Sequence, residues 1–478
     1  MQRASDAAAA VWWLEDALAG SQPAPEPLAS RVDADVCIVG GGFTGLWCAI
    51  HLRRSTPDLE VVVLERETCG FGASGRNGGW VKSWVDKLDG LAARFGPEVA
   101  PLLARHSVDA VDSIGRFVRE YGIDCDFRQR GGLVVATSEA QLRSLGGVCA
   151  AVAGSPFADR VHAVSREQAR EWTGSPLPLG GVRFDDWASV HPGRLVRGLR
   201  EVALGMGVRI FEATPMLGWD PGDRISVATP AGTVRAGRLI LALGAYSGGV
   251  RALRRSFVPI GSHILVTEPA PERLEGMPWS DGGLLGDARL MVHYAQVTSG
   301  GRIVFGQGGG AIGPAGRVLA RHYRNPDYEA GVIGDFRRWF PALSEVPIAR
   351  TWGGAVDRTP SHLPIAGSLG PQGRVLYALG YSGNGVGPSF LLGKLLAARA
   401  VGEGLPEGCD LLLAGPPGYL PPEPFRTLGG ALVRAAVKRA EEAEEAGRPP
   451  GLPGRLRSLV GAAVPRWLEP RLRGRASP

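Results

Sequence analysis

Three glycines, Gly40, Gly42 and Gly45, stand in the spacing G-x-G-x-x-G between an apolar run, Val36 to Val39, and a helical pattern through Leu46, Ala49, Ile50 and Leu52. A strand ending in such a turn aims free backbone N–H groups and the positive end of a helix at phosphate. Gly40 then makes the tight turn, Gly42 lets the backbone approach a pyrophosphate, and Gly45 lets helix and strand pack closely. A second apolar strand, Glu60 to Leu64, ends on Glu65, 20 residues after Gly45. A carboxylate there accepts a hydrogen bond from a ribose 2′-hydroxyl and repels a 2′-phosphate. Phe43 and Thr44 inside the turn, and Arg66 beside Glu65, complete this group of candidate contacts. Spacing alone carries little weight, because 70 of 478 residues are glycine and the pattern recurs at Gly70-Gly72-Gly75 and Gly308-Gly310-Gly313. Only the first copy lies between a strand and a helix with an acidic residue closing the next strand. It marks a dinucleotide site.

The continuation Gly72-Ala-Ser-Gly-Arg-Asn-Gly-Gly79 resembles the flavin-dependent amine and amino-acid oxidoreductases of the D-amino-acid oxidase-like family, above all the gamma-glutamylputrescine oxidase group. In that family a G-A-S-G-R-N-G-G segment lies along FAD, which implicates Gly72, Ala73, Ser74, Arg76, Asn77, Gly78 and Gly79. The resemblance spans roughly residues 33 to 415. It implies an enzyme that moves a hydride from an amine-bearing carbon to FAD, with the imine then hydrolysed and O2 or a quinone or other carrier as electron acceptor. It also implies a backbone contact from Met216 to adenine, where valine is more usual, and a nucleotide-side strand ending at Ala242 and Gly244.

Two later segments complete the resemblance. The run Arg350-Thr-Trp-Gly-Gly-Ala355, continuing to Pro364-Ile-Ala-Gly367, matches a strand that passes the flavin ring, which makes Trp352 a candidate cavity wall beside Tyr294 and Tyr381. His263 and His362 are further polar candidates, although a structural histidine is the commoner role. The run Tyr381-Ser-Gly-Asn-Gly-Val386 precedes a helix expected over residues 388 to 401, with Pro388 at its first position. A helix start there, with Gly383, Asn384, Gly385 and Val386, places donors where a reduced flavin carries negative charge. The family commonly has histidine where this chain has Asn384, and asparagine donates but does not titrate. No Cys or His stands where relatives tether flavin covalently, so FAD is expected to be noncovalent.

The expected fold is α/β: a Rossmann-type FAD-binding domain with a βαβ unit, plus a substrate domain on a mixed or antiparallel sheet with helices. An N-terminal arm covers 1–32, with Trp12 and Trp13 docking a short helix. The FAD-binding portion comprises 33–90, 190–255 and 350–415, and the substrate portion 91–189 and 256–349. Residues 416–478 read as a Pro-rich linker and a basic, solvated tail containing an amphipathic helix near Leu428 to Ala446.

Six scattered cysteines, with no C-x-x-C pair or His/Cys cluster, argue against a metal centre or a disulfide framework. The net charge of +6 resides in the tail, where Arg426 to Pro478 holds eleven Arg and Lys against five Glu. The body is balanced, and nothing in it suits nucleic acid. No apolar run reaches the length of a membrane span, and Asp6, Glu15 and Asp16 interrupt any signal-peptide core, so the cytoplasm is the expected compartment. Two other readings are an FAD-binding interaction protein without turnover and a D-amino-acid dehydrogenase, sarcosine oxidase-like or glycine oxidase-like enzyme. An NAD-dependent dehydrogenase leaves the Gly72–Gly79 segment without a role.

Overall fold

The computed structural model describes residues 11–20 and 26–448. The basic stretch beyond 448, the extreme N-terminus and part of the Pro/Ala-rich arm lie outside them. The first of two large sheets is built on the strand Arg31–Val39, which runs parallel to Val61–Leu64 on one side and to Thr233–Leu241 on the other. Arg209–Phe211 extends it parallel at one edge. At the other edge Val375–Leu379 is added parallel and Ile365–Leu369 antiparallel. Alternate residues of the central strands feed two cores, as a strand's period of two requires. Val36, Ile38, Val61 and Val63 face the helix Phe43–Ser55, whereas Cys37, Val39, Val62 and Leu64 pack on the opposite layer. Burial on both faces explains why these strands read as unbroken apolar runs.

The second sheet has eight strands in the order Ile348–Arg358, Val258–Thr267, Ile303–Gln307, His293–Val297, Leu284–Asp287, Gly132–Ala136, Gly180–Phe184 and Val161–Val164. Its one parallel pair, Leu284–Asp287 with Gly132–Ala136, joins two antiparallel halves. The strand Ile348–Arg358, assigned from sequence to the FAD-binding portion, is hydrogen-bonded along its length to Val258–Thr267. The edge strand Val161–Val164 falls inside a stretch that reads as helical, because His162 and Ala163 are exposed and leave no apolar alternation. The helices Leu88–Phe95 and Val99–Glu120 are divided at Gly96, whose φ of +93° ends the first of them.

The N-terminal helix Trp12–Ala17 is a brace. Trp13 is fully buried, its indole N–H donates to Asn77 O (2.9 Å), and its ring meets the edge of Trp352 at 6.3 Å. Leu14 fills the space that Gly75 leaves open, where a Cβ would come within 2.7 Å of it.

The C-terminal helix Phe425–Glu445 corrects the expectation of a solvated tail over those residues. Glu441 is fully buried, accepts from Leu290 N–H (2.7 Å) and pairs with Arg289 Nε (3.4 Å). Glu445 binds both Arg289 (3.1 Å) and Arg338 (2.8 Å). Nearby, His293 is held between Asp287 (2.7 Å) and Asp335 (3.1 Å). Burial alone would lower its pKa, but the two carboxylates outweigh burial and push it up to about 9. Sequence periodicity finds the helix but not these partners, which lie some 150 residues away. Glu441→Leu leaves the buried Arg289 with only the half-buried Glu445 as ion-pair partner and should cost about 3 kcal/mol, measured by denaturant unfolding. Truncation after Pro424 should lower both melting temperature and flavin retention. An unchanged melting curve for the truncated protein would restore the solvated-tail reading.

Candidate active site

The two sheets meet at a cavity of about 940 Å³, lined by the Gly40–Thr44 turn, Glu65 and Arg66, the Phe71–Gly78 loop, Met216, Ala242–Tyr246, Gly354–Arg358 and Tyr381–Val386. Its floor is packed so closely that side chains are excluded at two turns. A Cβ on Gly40, whose φ is +115°, would lie 2.3 Å from Ala242 O, and one on Gly45 would lie 2.0 Å from Gly40 O. Gly45 thus sets the helix–strand distance and does not line the cavity. The helix Phe43–Ser55 begins at Gly42, which offers no side-chain cap, so first-turn N–H groups remain for a ligand. Ser74 Oγ accepts one of them, from Phe43 at 2.9 Å, and clips the two glycine segments together. Glu65 Oε2 accepts from Gly41 N–H (2.7 Å) and Oε1 from Glu67 N–H (3.0 Å). Burial pushes its pKa up, and those two N–H groups act against the shift.

The Gly72–Gly79 loop is held from within. Asn77 donates to Ala73 O and Ser74 O and accepts from Gly79 N–H (2.8 Å). Gly79, at φ +71°, packs on Val190 O behind the cavity. Gly78 must lack a side chain, because a Cβ would lie 2.6 Å from the Tyr294 ring. The buried Arg76 donates to Phe71 O (2.9 Å) and Gly353 O (3.0 Å), and lies over the rings of Phe71 and Tyr323. Arg66 lies 4.5 Å over the ring of Tyr246, whose hydroxyl hydrogen-bonds that of Tyr323.

Tyr294 and Tyr381 line the cavity, as expected. The Tyr294 hydroxyl meets Ser262 Oγ at 2.8 Å, and burial pushes its pKa up to about 12. The Tyr381 hydroxyl meets Thr44 Oγ1 at 2.6 Å, tying the last segment to the first helix. Trp352 does not line the cavity. Its indole N–H donates to Arg76 O (2.9 Å) and its ring points back at Trp13, so it supports the loop from behind. His263 is likewise buried away from the cavity, stacked on Tyr328 at 5.2 Å. His362 does line it, with burial and the neighbouring Arg358 and Lys87 lowering its pKa to about 3.

The helix Val386–Val401 starts two residues before the expected start, with Gly385 as N-cap and Pro388 third. Gly387 lies against Lys82, where a Cβ would come within 2.6 Å of the Lys82 carbonyl oxygen. Asn384 Nδ2 reaches Ser83 O at 3.4 Å, while Oδ1 is buried with no protein partner. Sequence reading missed the groups that the second sheet and its helices bring here. Lys87 Nζ donates to His362 O (2.8 Å), and burial lowers its pKa to about 8. Arg358 bonds His362 Nε2 (3.0 Å). The buried Asp357 accepts from Gly380 N–H (2.5 Å), and its pKa is raised by burial to about 6. None of the three has a local sequence signal.

These residues fit FAD. The glycine turn and uncapped helix suit a pyrophosphate, Glu65 suits a ribose hydroxyl, and the orphaned Asn384 amide beside a helix start suits a polar ring edge. Fold and site together define a dinucleotide-dependent oxidoreductase of the FAD class. The family of FAD-dependent oxidoreductases named DAO matches residues 35–399. The chain is 31% identical over 389 residues to gamma-glutamylputrescine oxidoreductase of Escherichia coli (strain K12), covering 79% of this chain and 86% of that protein. It is 24% identical to glycine oxidase of Bacillus subtilis (strain 168) over 74% of this chain and 89% of that one. The fold matches crystalline glycine oxidase from Geobacillus kaustophilus with a TM-score of 0.65 at 21% identity, covering 78% of this chain and 96% of that chain. The chain belongs to the DAO family of FAD-dependent oxidoreductases.

Glu65→Ala removes an acceptor for both Gly41 N–H and the ribose, and should weaken FAD retention by roughly 1.5–3 kcal/mol. Glu65→Gln, which keeps an acceptor, should lose less. Both are read by flavin fluorescence after dialysis. Equal retention by the parent and the Ala variant would remove Glu65 from the cofactor site.

Proposed function

We propose that this enzyme oxidises an amine or amino acid at the carbon bearing nitrogen, with noncovalent FAD as acceptor. When bound, FAD supplies the hydride acceptor and electron sink. The protein supplies position and charge. The Gly40–Gly45 turn and the start of the helix Phe43–Ser55 would hold the phosphates, Glu65 the ribose, and Asn384 with the start of the helix Val386–Val401 the polar edge of the ring. Tyr294 and Ser262 line the cavity, as do Lys82, Lys87 and Arg358.

The observation that carries the reading is this charge balance. The cavity lining holds Arg66, Arg76, Lys82, Lys87, Arg251, Arg289 and Arg358 against two carboxylates, Glu65 and Asp357. Neighbouring cations disfavour the ammonium form of a bound amine and so promote the neutral form that can give up a hydride. The same cations suit a substrate carboxylate. The names of the E. coli and B. subtilis relatives support the same substrate class.

Two measurements test this. Adding polyamines, N-methyl amino acids or amino acids anaerobically should bleach the flavin for at least one class. Bleaching by none of them would favour an FAD-binding protein without amine turnover. Acid precipitation should leave the flavin in the supernatant, and colour in the pellet would show a covalent link.

A third measurement concerns Asn384. Asn384→Asp keeps the size and adds a negative charge at the helix start. It should lower the flavin reduction potential and slow bleaching about tenfold or more while FAD stays bound. Asn384→His should be tolerated. An unshifted potential in the Asp variant would place residue 384 away from the ring.

A further inference from the structure

The helix Phe425–Glu445 has two unlike faces. Its inner face buries Arg426, Val437, Ala440 and Glu441. Its outer face carries Phe425, Leu428 and Leu432, spaced to lie on one side and exposed by 68, 60 and 73%. With Val433 and the nearby Tyr419, they are five of the eight large hydrophobic side chains exposed among the described residues. Between Thr427 and Val437 the only charged residue is Arg434, whose Nε donates to Gly309 O (2.6 Å). The outer face is therefore apolar over about three turns, with nothing of the described chain covering it. A contiguous patch of this kind marks a contact surface.

The charge around the patch selects its partner. At its N-terminal end Arg255 lies 6.0 Å over the Tyr419 ring and donates to Leu420 O (2.7 Å), with Arg254 exposed alongside. Past the C-terminal end, residues 449–478 contain six Arg against one Glu, interleaved with leucines and Trp467. The cations at both ends would repel a second copy of this chain. An apolar strip flanked by cations matches an anionic bilayer, where leucine and phenylalanine enter the acyl boundary and arginine stays with the headgroups. Among the described residues no helix is long and apolar enough to cross a membrane, so the contact would lie in the interface.

We infer that the outer face of the helix Phe425–Glu445 docks the enzyme on an anionic lipid surface. The helix's inner side already touches the cavity wall through Leu290 N–H and Gly309 O, so the docking face and the cavity share one element. This inference does not depend on the substrate.

The test is cosedimentation of the full-length, flavin-loaded protein with phosphatidylcholine vesicles, with and without phosphatidylglycerol. Binding should require phosphatidylglycerol and weaken as salt is raised. The double variant Leu428→Asp/Leu432→Asp should bind about tenfold or more weakly, with flavin content and melting temperature unchanged because both side chains are exposed. A chain ending at Arg448 should also bind more weakly. The proposal is overturned by parental binding to phosphatidylcholine alone, by no binding at all, or by full binding of the double variant. Two further results also overturn it: stronger binding after truncation, showing that the tail covers the face, and a solution dimer that the double variant dissociates.

Discussion

The hydrogen bond from Gly380 N–H to the buried Asp357 carboxylate, at 2.5 Å, ties the two sheets together at the cavity. Asp357 lies near the end of an edge strand of the second sheet, and Gly380 follows the strand Val375–Leu379 of the first. Beside it, Ser382 N–H donates to Asp357 O (3.3 Å) and Thr359 N–H to Ser382 Oγ (3.0 Å). The turn so fixed carries Tyr381 toward Thr44 and Asn384 toward Ser83, and it sets where the helix Val386–Val401 begins. A buried carboxylate is costly unless its oxygens are satisfied, so the seam depends on the Gly380 N–H staying in place.

Around that seam the glycine contacts do a complementary job. Gly40 against Ala242 O and Gly45 against Gly40 O draw the first strand, its helix and the third strand to distances no side chain allows. The Gly72–Gly79 loop is then caught between this unit, through Ser74, and the second sheet, through Arg76 and Gly353 O. Trp352 and Trp13 back the same loop from outside. The cavity is thus shaped by groups that never face it as much as by those that do.

The cofactor half was legible because its determinants are local. A glycine spacing, an apolar strand and a carboxylate about 20 residues on stand within one βαβ unit, and backbone geometry leaves few alternatives. The substrate half was not, since Lys87, Asp357 and Arg358 gain their meaning from partners contributed by other elements. Trp352 shows why: a large aromatic in a strand near the site reads as a wall, but successive strand residues face opposite ways and this one faces the brace helix. The C-terminal helix was visible by period, whereas its anchoring depended on Arg289 and Leu290, far off in sequence.

The order of strands in the first sheet bears on how the protein is made. The strand Arg31–Val39 pairs with Thr233–Leu241, which pairs in turn with Val375–Leu379. During synthesis, the dinucleotide-binding strand waits for about 200 further residues before its neighbour Thr233–Leu241 exists, and the turn at Gly380 emerges later still. Pairings this distant are slow to form and leave strand edges open meanwhile. A ribosome stalled before Val375 therefore carries a phosphate-binding turn without the seam that closes the cavity.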